Sequence, residues 1–215
     1  NAEINEVKKL FREKTLNLFC IMSHLSSADD KNKKINLLQK NLFNKINLDY
    51  KGVLLSIANS SAVFNLKGFN FSFVRSGGAL FGINPTKEKN PMKNVISLHA
   101  KVLQIKNLRT ETNKVIGYNS TYQVNDGLKI AVLGIGYADG YPRNLSNIGY
   151  AFFKNSKLPI VGTISMDYIV VDLSKLKKKI KVGDWVELIG KNISIQEIAL
   201  LSQTIEYEIL NNLGN

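Results

Sequence analysis

The chain has few of the residues that build covalent or metal-centred scaffolds. It holds one cysteine, Cys20, and two histidines, so it can form no internal disulfide, and a single thiol cannot build a metal site. Cys20 lies in the apolar run LNLFCIM and reads as a buried structural thiol; no metal is expected. No apolar run approaches the roughly 20 residues needed to span a bilayer. The opening NAEINEVKKLF has no apolar leader segment, so the expectation is a cytoplasmic protein with no membrane partner. Acidic residues are scarce, at 17 against 29 Lys and Arg, giving a net charge of +12. Clustered lysines release counterions when they neutralise phosphates, but the one dense run, Lys175, Lys177, Lys178, Lys179 and Lys181, precedes the turn Val182-Gly183-Asp184 and reads as a solvated loop. With no aromatic-interleaved basic patch beside it, nucleic acid is not an expected partner.

What is present suffices for a core. A chain of 215 residues with 44% hydrophobic composition can fold as one or two domains. Up to about Pro85, helical patterns at Glu3 to Lys14, Asp30 to Ile46 and Ser60 to Leu66 alternate with apolar runs at Leu16 to Met22, Gly52 to Ala58 and Phe71 to Arg75. That alternation predicts a parallel α/β sheet or barrel. Pro85 and Pro91, two of only four prolines, bracket a charged stretch that reads as a linker. From about Asn94 the period changes to two, with Gly turns. VISLHAKVLQI, LKIAVLGIGYA, LPIVGTISM, YIVVDL and DWVELIG read as strands, followed by one helix from Ser194 to Ser202 opened by a Ser194/Glu197 capping box. The expected division is residues 1–90, a partial α/β barrel, and residues 94–215, a β-rich domain. An eight-stranded α/β barrel needs roughly 250 residues, so only its closing part fits, and the chain, which starts at Asn1, reads as a piece of something longer.

The segments VRSGGALFG (Val74 to Gly82), IGYNSTY (Ile116 to Tyr122), GIGYADGYPR (Gly134 to Arg143), Met166-Asp167 and Tyr207-Glu208 occur in that order. Together they closely resemble the second half of the alanine racemase family, whose members use pyridoxal 5'-phosphate to interconvert L- and D-alanine. The resemblance implies the closing part of a TIM-type barrel followed by a mostly-β C-terminal domain. It also implies pyridoxal phosphate as cofactor, alanine as small-molecule substrate, and a homodimer with shared active sites supplying D-alanine for cell-wall peptidoglycan.

Residue by residue, the resemblance implies Tyr118 as the acid/base phenol on one face of the α-carbon, with His24 orienting it. His24 follows an apolar strand run, at the strand end where barrel enzymes place catalytic groups. Arg75 is similar to the arginine facing the pyridine nitrogen. Ser60, Gly77, Gly78 and Tyr207 match the phosphate site, with Asn59 as a helper; a Gly pair can present N–H groups to an anion. Tyr137 matches the tyrosine narrowing the substrate entrance, and Met166-Asp167 the segment whose backbone amide meets the substrate carboxylate. Asn119 stands where glycine is usual, and asparagine tolerates positive φ best among other residues. Ser76 replaces a commoner proline or apolar residue. No lysine here matches the context of the family's cofactor-bearing lysine, so the chain alone is expected to be inactive. The alternatives are a serine or broad-specificity racemase of the same fold, or a non-catalytic remnant.

Overall fold

The computed structural model describes residues 2–50, 52–108, 115–124 and 127–214. The chain divides into two compact units, Asn1–Lys93 and Asn94–Asn215.

In the first unit, α1 (Ala2–Arg12), β1 (Cys20–Met22), α2 (Lys34–Asp49), β2 (Leu54–Ser56) and α3 (Ser60–Asn65) follow one another. β1 and β2 pair in parallel, Cys20 opposite Leu54 and Met22 opposite Ser56. Helix–strand alternation thus produces the parallel pairing the sequence predicts. The core beneath it comprises Leu25, Phe43, Leu55, Ile57, Ala58, Ala62 and Phe69. Two expectations fail here. Phe71 to Arg75 forms no regular strand: Phe71 takes φ 45°, and the Leu55 N–H is taken by Ser72 Oγ at 3.0 Å instead of a backbone carbonyl. An isolated parallel bridge, Asn59 to Arg75, remains, with backbone bonds from Ser72 N to Leu55 O at 3.0 Å and Arg75 N to Ala58 O at 2.9 Å. Cys20 is half-buried rather than buried, because β1 has no partner but β2 among the described residues, which leaves one edge of the pair open. The charged stretch after Pro85 is tied down within this unit. Lys31 meets Glu88 at 3.4 Å and Lys87 meets Asp30 at 3.3 Å, and Asn65 Nδ2 donates to Pro85 O at 3.0 Å. The backbone N–H of Asn32, followed by Lys87, holds the Asp30 carboxyl below its usual range.

The second unit is built on β3 (Leu98–Leu108), β4 (Val115–Ile116), β5 (Tyr122–Gln123), β6 (Leu128–Leu133), β7 (Tyr150–Phe153), β8 (Ser156–Pro159), β9 (Ile169–Asp172) and β10 (Trp185–Ile189), then α4 (Ile195–Leu201) and α5 (Glu206–Leu213). Six strands form one antiparallel sheet in the order β8-β7-β10-β3-β6-β9. The Ile160–Val171 bridge and the bond from Val161 N to Val170 O (2.9 Å) join its two ends, curling it into a nearly closed barrel. Closure removes the unpaired edges that invite aggregation. Alternate residues point inward, as in β9, where Ile169 and Val171 are buried and Val170 and Asp172 less so. They join Val102, Leu133, Leu158, Val186 and Leu188 in the core.

Strand β7, which pairs with both β8 and β10, and helix α5 add to the expected elements. The capping box is half formed. Ser194 Oγ accepts from Glu197 N at 3.1 Å, but the Glu197 carboxylate accepts the Tyr150 hydroxyl instead of the cap backbone. No helix among the described residues is long and apolar enough to cross a membrane.

Candidate active-site residues

In the first unit the candidate residues collect just beyond the carboxyl ends of the parallel strands. This is where the backbone leaves the sheet and side chains are free to converge. β1 delivers Ser23 and His24, and β2 delivers Ser56 and, three residues on, Asn59. The loop at His24 is pinned by Gln39 of α2, whose Nε2 donates to His24 O at 3.2 Å while its Oε1 accepts from Ser26 N at 3.2 Å. Arg75 is locked at both nitrogens. Nη1 donates to Ser56 Oγ at 2.7 Å and Nη2 to Ser23 O at 2.6 Å. A guanidinium carries five N–H groups in a planar fork, so donors remain for a further acceptor.

Asn59 links the cluster. Its Oδ1 accepts from Ala62 N at 3.0 Å, capping α3. Its Nδ2 lies 3.3 Å from His24 Nε2. Flipping the amide would set its NH2 against the Ala62 N–H, donor against donor, so the cap fixes Nδ2 as the group facing the histidine. In that contact His24 Nε2 is the acceptor, which leaves Nδ1–H as the ring's donor.

Ser60, 3% exposed, forms the floor of a second feature. Its Oγ accepts from Gly77 N at 3.1 Å and Ala79 N at 3.2 Å. Both bonds use the oxygen, so the hydroxyl proton has no acceptor among the described residues. A Cβ on Gly77 would meet nothing within 4 Å. Gly78 is buried, at the start of a short 3-10 turn, Gly78–Phe81. A buried O–H without an acceptor among the described residues, on an oxygen that already receives two loop amides, can donate to one oxygen of a phosphate.

In the second unit one segment organises the remaining candidates. Tyr137 N donates to Ser165 O and Ala138 N to Met166 O, both at 3.0 Å. A Cβ on Gly136 would lie 2.1 Å from Met166 O, so glycine is required for this approach. Asp139 Oδ2 accepts from Gly136 N at 2.8 Å and closes the turn. The Tyr118 turn meets the same segment, with Thr163 Oγ1 donating to Tyr118 O at 3.0 Å. The phenol of Tyr118 is not packed into its own unit: the residue is 67% exposed. With Gly117, Thr163, Ser165 and Tyr168 it lines an open pocket of about 390 Å³. Tyr137 and Met166 are also exposed, at 40% and 52%, as is Asp167.

Tyr207 stands in the first turn of α5, half-exposed. Partial burial, then the Glu206 carboxylate, raise its pKa, so its O–H stays a donor. The structure therefore gathers His24, Asn59, Ser60, Arg75, Gly77 and Gly78 in one unit and Tyr118, Tyr137, Met166 and Asp167 on one segment of the other, with Tyr207 on its last helix. The supporting residues Gln39, Ser56 and Thr163 carry no motif of their own and are visible only through their hydrogen bonds.

Comparison with known proteins gives these placements a family. Residues 95–215 match the model of the alanine racemase C-terminal domain and residues 2–85 that of the alanine racemase N-terminal domain. The chain is 41% identical over 219 residues to alanine racemase from Rickettsia bellii (strain RML369-C), covering 98% of the chain and 53% of that relative. It superposes on the crystal structure of alanine racemase from Bartonella henselae with covalently bound pyridoxal phosphate at a TM-score of 0.85, with 38% identity, over 98% of the chain and 60% of that structure. The alanine racemase from Bacillus anthracis with bound L-Ala-P gives a TM-score of 0.84 at 32% identity, over 96% and 56%. The chain thus spans between half and three-fifths of the proteins it matches. Barrel-derived unit and β-rich unit are both accounted for, and the chain belongs to the alanine racemase family.

Proposed function

We propose that the complete protein containing this chain racemises alanine with pyridoxal phosphate. The observation that carries this reading is the linked set Arg75, Asn59 and His24 at the strand ends, each held by a named bond. The pyridoxal ring, when bound, supplies the electron sink that lets an α-proton leave at neutral pH. Ser60, Gly77 and Gly78 would hold its phosphate, with the Tyr207 hydroxyl as a further donor. Arg75 would meet the ring nitrogen with an N–H that it does not release, since a guanidinium stays protonated at any ordinary pH.

Racemisation requires acid/base groups on opposite faces of the α-carbon. Tyr118 serves one face: its phenol accepts the proton there, or returns it. His24, confined to donation from Nδ1, orients the phenol and stabilises its deprotonated form. Tyr137 narrows the entrance, and the Met166-Asp167 backbone receives the substrate carboxylate. An exposed Tyr118 is what a site shared between two subunits requires, so we infer a head-to-tail homodimer. In the cell the product is D-alanine for peptidoglycan, made in the cytoplasm. The test is to express the complete protein from its gene and follow D-alanine formed from L-alanine, with and without added pyridoxal phosphate. Cofactor-dependent formation is expected; a folded protein that forms none refutes the proposal.

A further inference from the structure

Tyr118 opens an unusual turn. Gly117 has φ 82°, and the two non-glycine residues after Tyr118, Asn119 and Ser120, both adopt left-handed backbone at φ 60° and 56°. Such conformations persist only where the surroundings over-determine them. One side chain bonds the turn directly. Thr163 Oγ1 lies 3.0 Å from Tyr118 O, which can only accept, so the threonine proton is committed there. The contact between Thr121 Oγ1 and Thr163 Oγ1 at 2.9 Å must therefore be donated by Thr121. The result is an ordered chain from Thr121 hydroxyl to Thr163 hydroxyl to Tyr118 carbonyl. Packing fixes the same register. A Cβ on Gly117 would sit 2.3 Å from Thr163 N, and one on Gly162 would sit 2.7 Å from Ile116 Cγ2. Two residues further on, the same stretch presents Ser165 O and Met166 O to the Tyr137 turn.

We propose that Thr163 is a positioning residue for the Tyr118 phenol, fixing it relative to Met166-Asp167 through its bond to the Tyr118 carbonyl. This rests on reading Tyr118 as an acid/base group. Valine has the shape of threonine without the hydroxyl, so Thr163→Val in the complete protein keeps the packing while it removes the bond to Tyr118 O and, with it, the acceptor of the Thr121 hydroxyl. Misplacing a catalytic group by about 1 Å costs on the order of 10²-fold in rate. The expected result is a kcat lowered roughly 10- to 100-fold with KM for alanine nearly unchanged, reversed by Thr163→Ser. The isotope effect of α-deuterated alanine should rise for the enantiomer whose proton the phenol accepts and not for the other, whereas a general loss of structure would move both alike. A second readout needs no turnover. The Ser120 amide, bonded to Gly117 O at 3.2 Å, should exchange its hydrogen faster in Thr163→Val.

Wild-type kcat and wild-type Ser120 exchange in Thr163→Val overturn the proposal. Tyr118→Phe, measured alongside, separates the two ideas. If it is inactive while Thr163→Val is normal, the phenol stands and the positioning role falls; if it is fully active, both fall. Should Thr163→Val not fold, Thr163→Ala against Thr163→Ser decides by the same two readouts.

Discussion

Gly136→Ala isolates one contact on which the second unit's site geometry depends. Gly136 has an extended backbone, φ −148° and ψ −161°, open to any residue, so the substitution adds no backbone strain. Its whole effect is steric. The new methyl would lie 2.1 Å from Met166 O, 2.3 Å from Met166 C and 2.4 Å from Ser165 O, all backbone atoms that cannot rotate away. The two strands of chain must separate, which weakens the bonds Tyr137 N to Ser165 O and Ala138 N to Met166 O. Losing two such bonds costs about 1–3 kcal/mol, and forcing one methyl into a packed contact about 1–3 kcal/mol more. At roughly 2–4 °C per kcal/mol for a chain of this size, Tm should fall on the order of 10 °C. Because Tyr137 and Met166 move apart by about an ångström, the racemisation proposed for the complete protein should fall on the order of 10²-fold even where the variant is fully folded. Thermal unfolding followed by circular dichroism, with D-alanine formation measured well below Tm, checks both numbers. A variant that melts within about 1 °C of the parent and turns over normally would show that this approach is not as close as described.

Tyr141 is 1% exposed and its hydroxyl has no hydrogen-bond partner among the described residues. An unsatisfied buried polar group costs about 1–3 kcal/mol, so Tyr141→Phe should raise Tm by a few degrees, and a lowered Tm would contradict the geometry. Burial, then the Glu197 carboxylate accepting its O–H, push the Tyr150 pKa up to about 12. A raised folded-state value means that the fold favours the protonated phenol. That stabilisation is complete below the ordinary value near 10 and lost as pH climbs through about 12. Denaturant melts of Tyr150→Phe and the parent should therefore converge in that alkaline window, and a gap constant with pH would refute the assignment. Gly77→Ala adds a methyl into open space at φ −105°, so stability should hold within about 0.5 kcal/mol. Affinity for pyridoxal phosphate, titrated by absorbance, should drop; unchanged affinity would remove Gly77 from the phosphate site.

Periodicity in the sequence carried most of the second unit. LKIAVL, YIVVDL and DWVELIG became strands because a barrel wall is buried on one face, which imposes a two-residue alternation. YAFF, β7, was missed since its four residues offer too little alternation to register. Helix α5 was hidden by a weak start signal: its first residue follows Ile205, which provides no side-chain cap. Glu197 shows a local signature overridden by tertiary structure, where a buried-side phenol outcompeted the cap backbone for the carboxylate. The expected strand at Phe71 to Arg75 failed for a similar reason, as a serine hydroxyl took the place of a ladder carbonyl.

For the site, motifs named the residues proposed to meet ligand but not the residues that hold them in place. Gln39, Ser56, Thr121 and Thr163 are polar residues of ordinary type, and only the folded chain reveals which carbonyl or guanidinium each one holds. The tautomer of His24 was equally invisible, since it follows from a helix cap on a different strand end.

The phenol of Tyr118 bears the main chemical claim, and its removal tests that claim most directly. In the complete protein supplied with pyridoxal phosphate, Tyr118→Phe keeps the ring and loses only the ionisable oxygen. General acid–base groups contribute typically 10²–10⁴-fold, so conversion of L- to D-alanine should drop by at least about 10²-fold while the cofactor remains bound. Conversion at the parental rate would contradict the account.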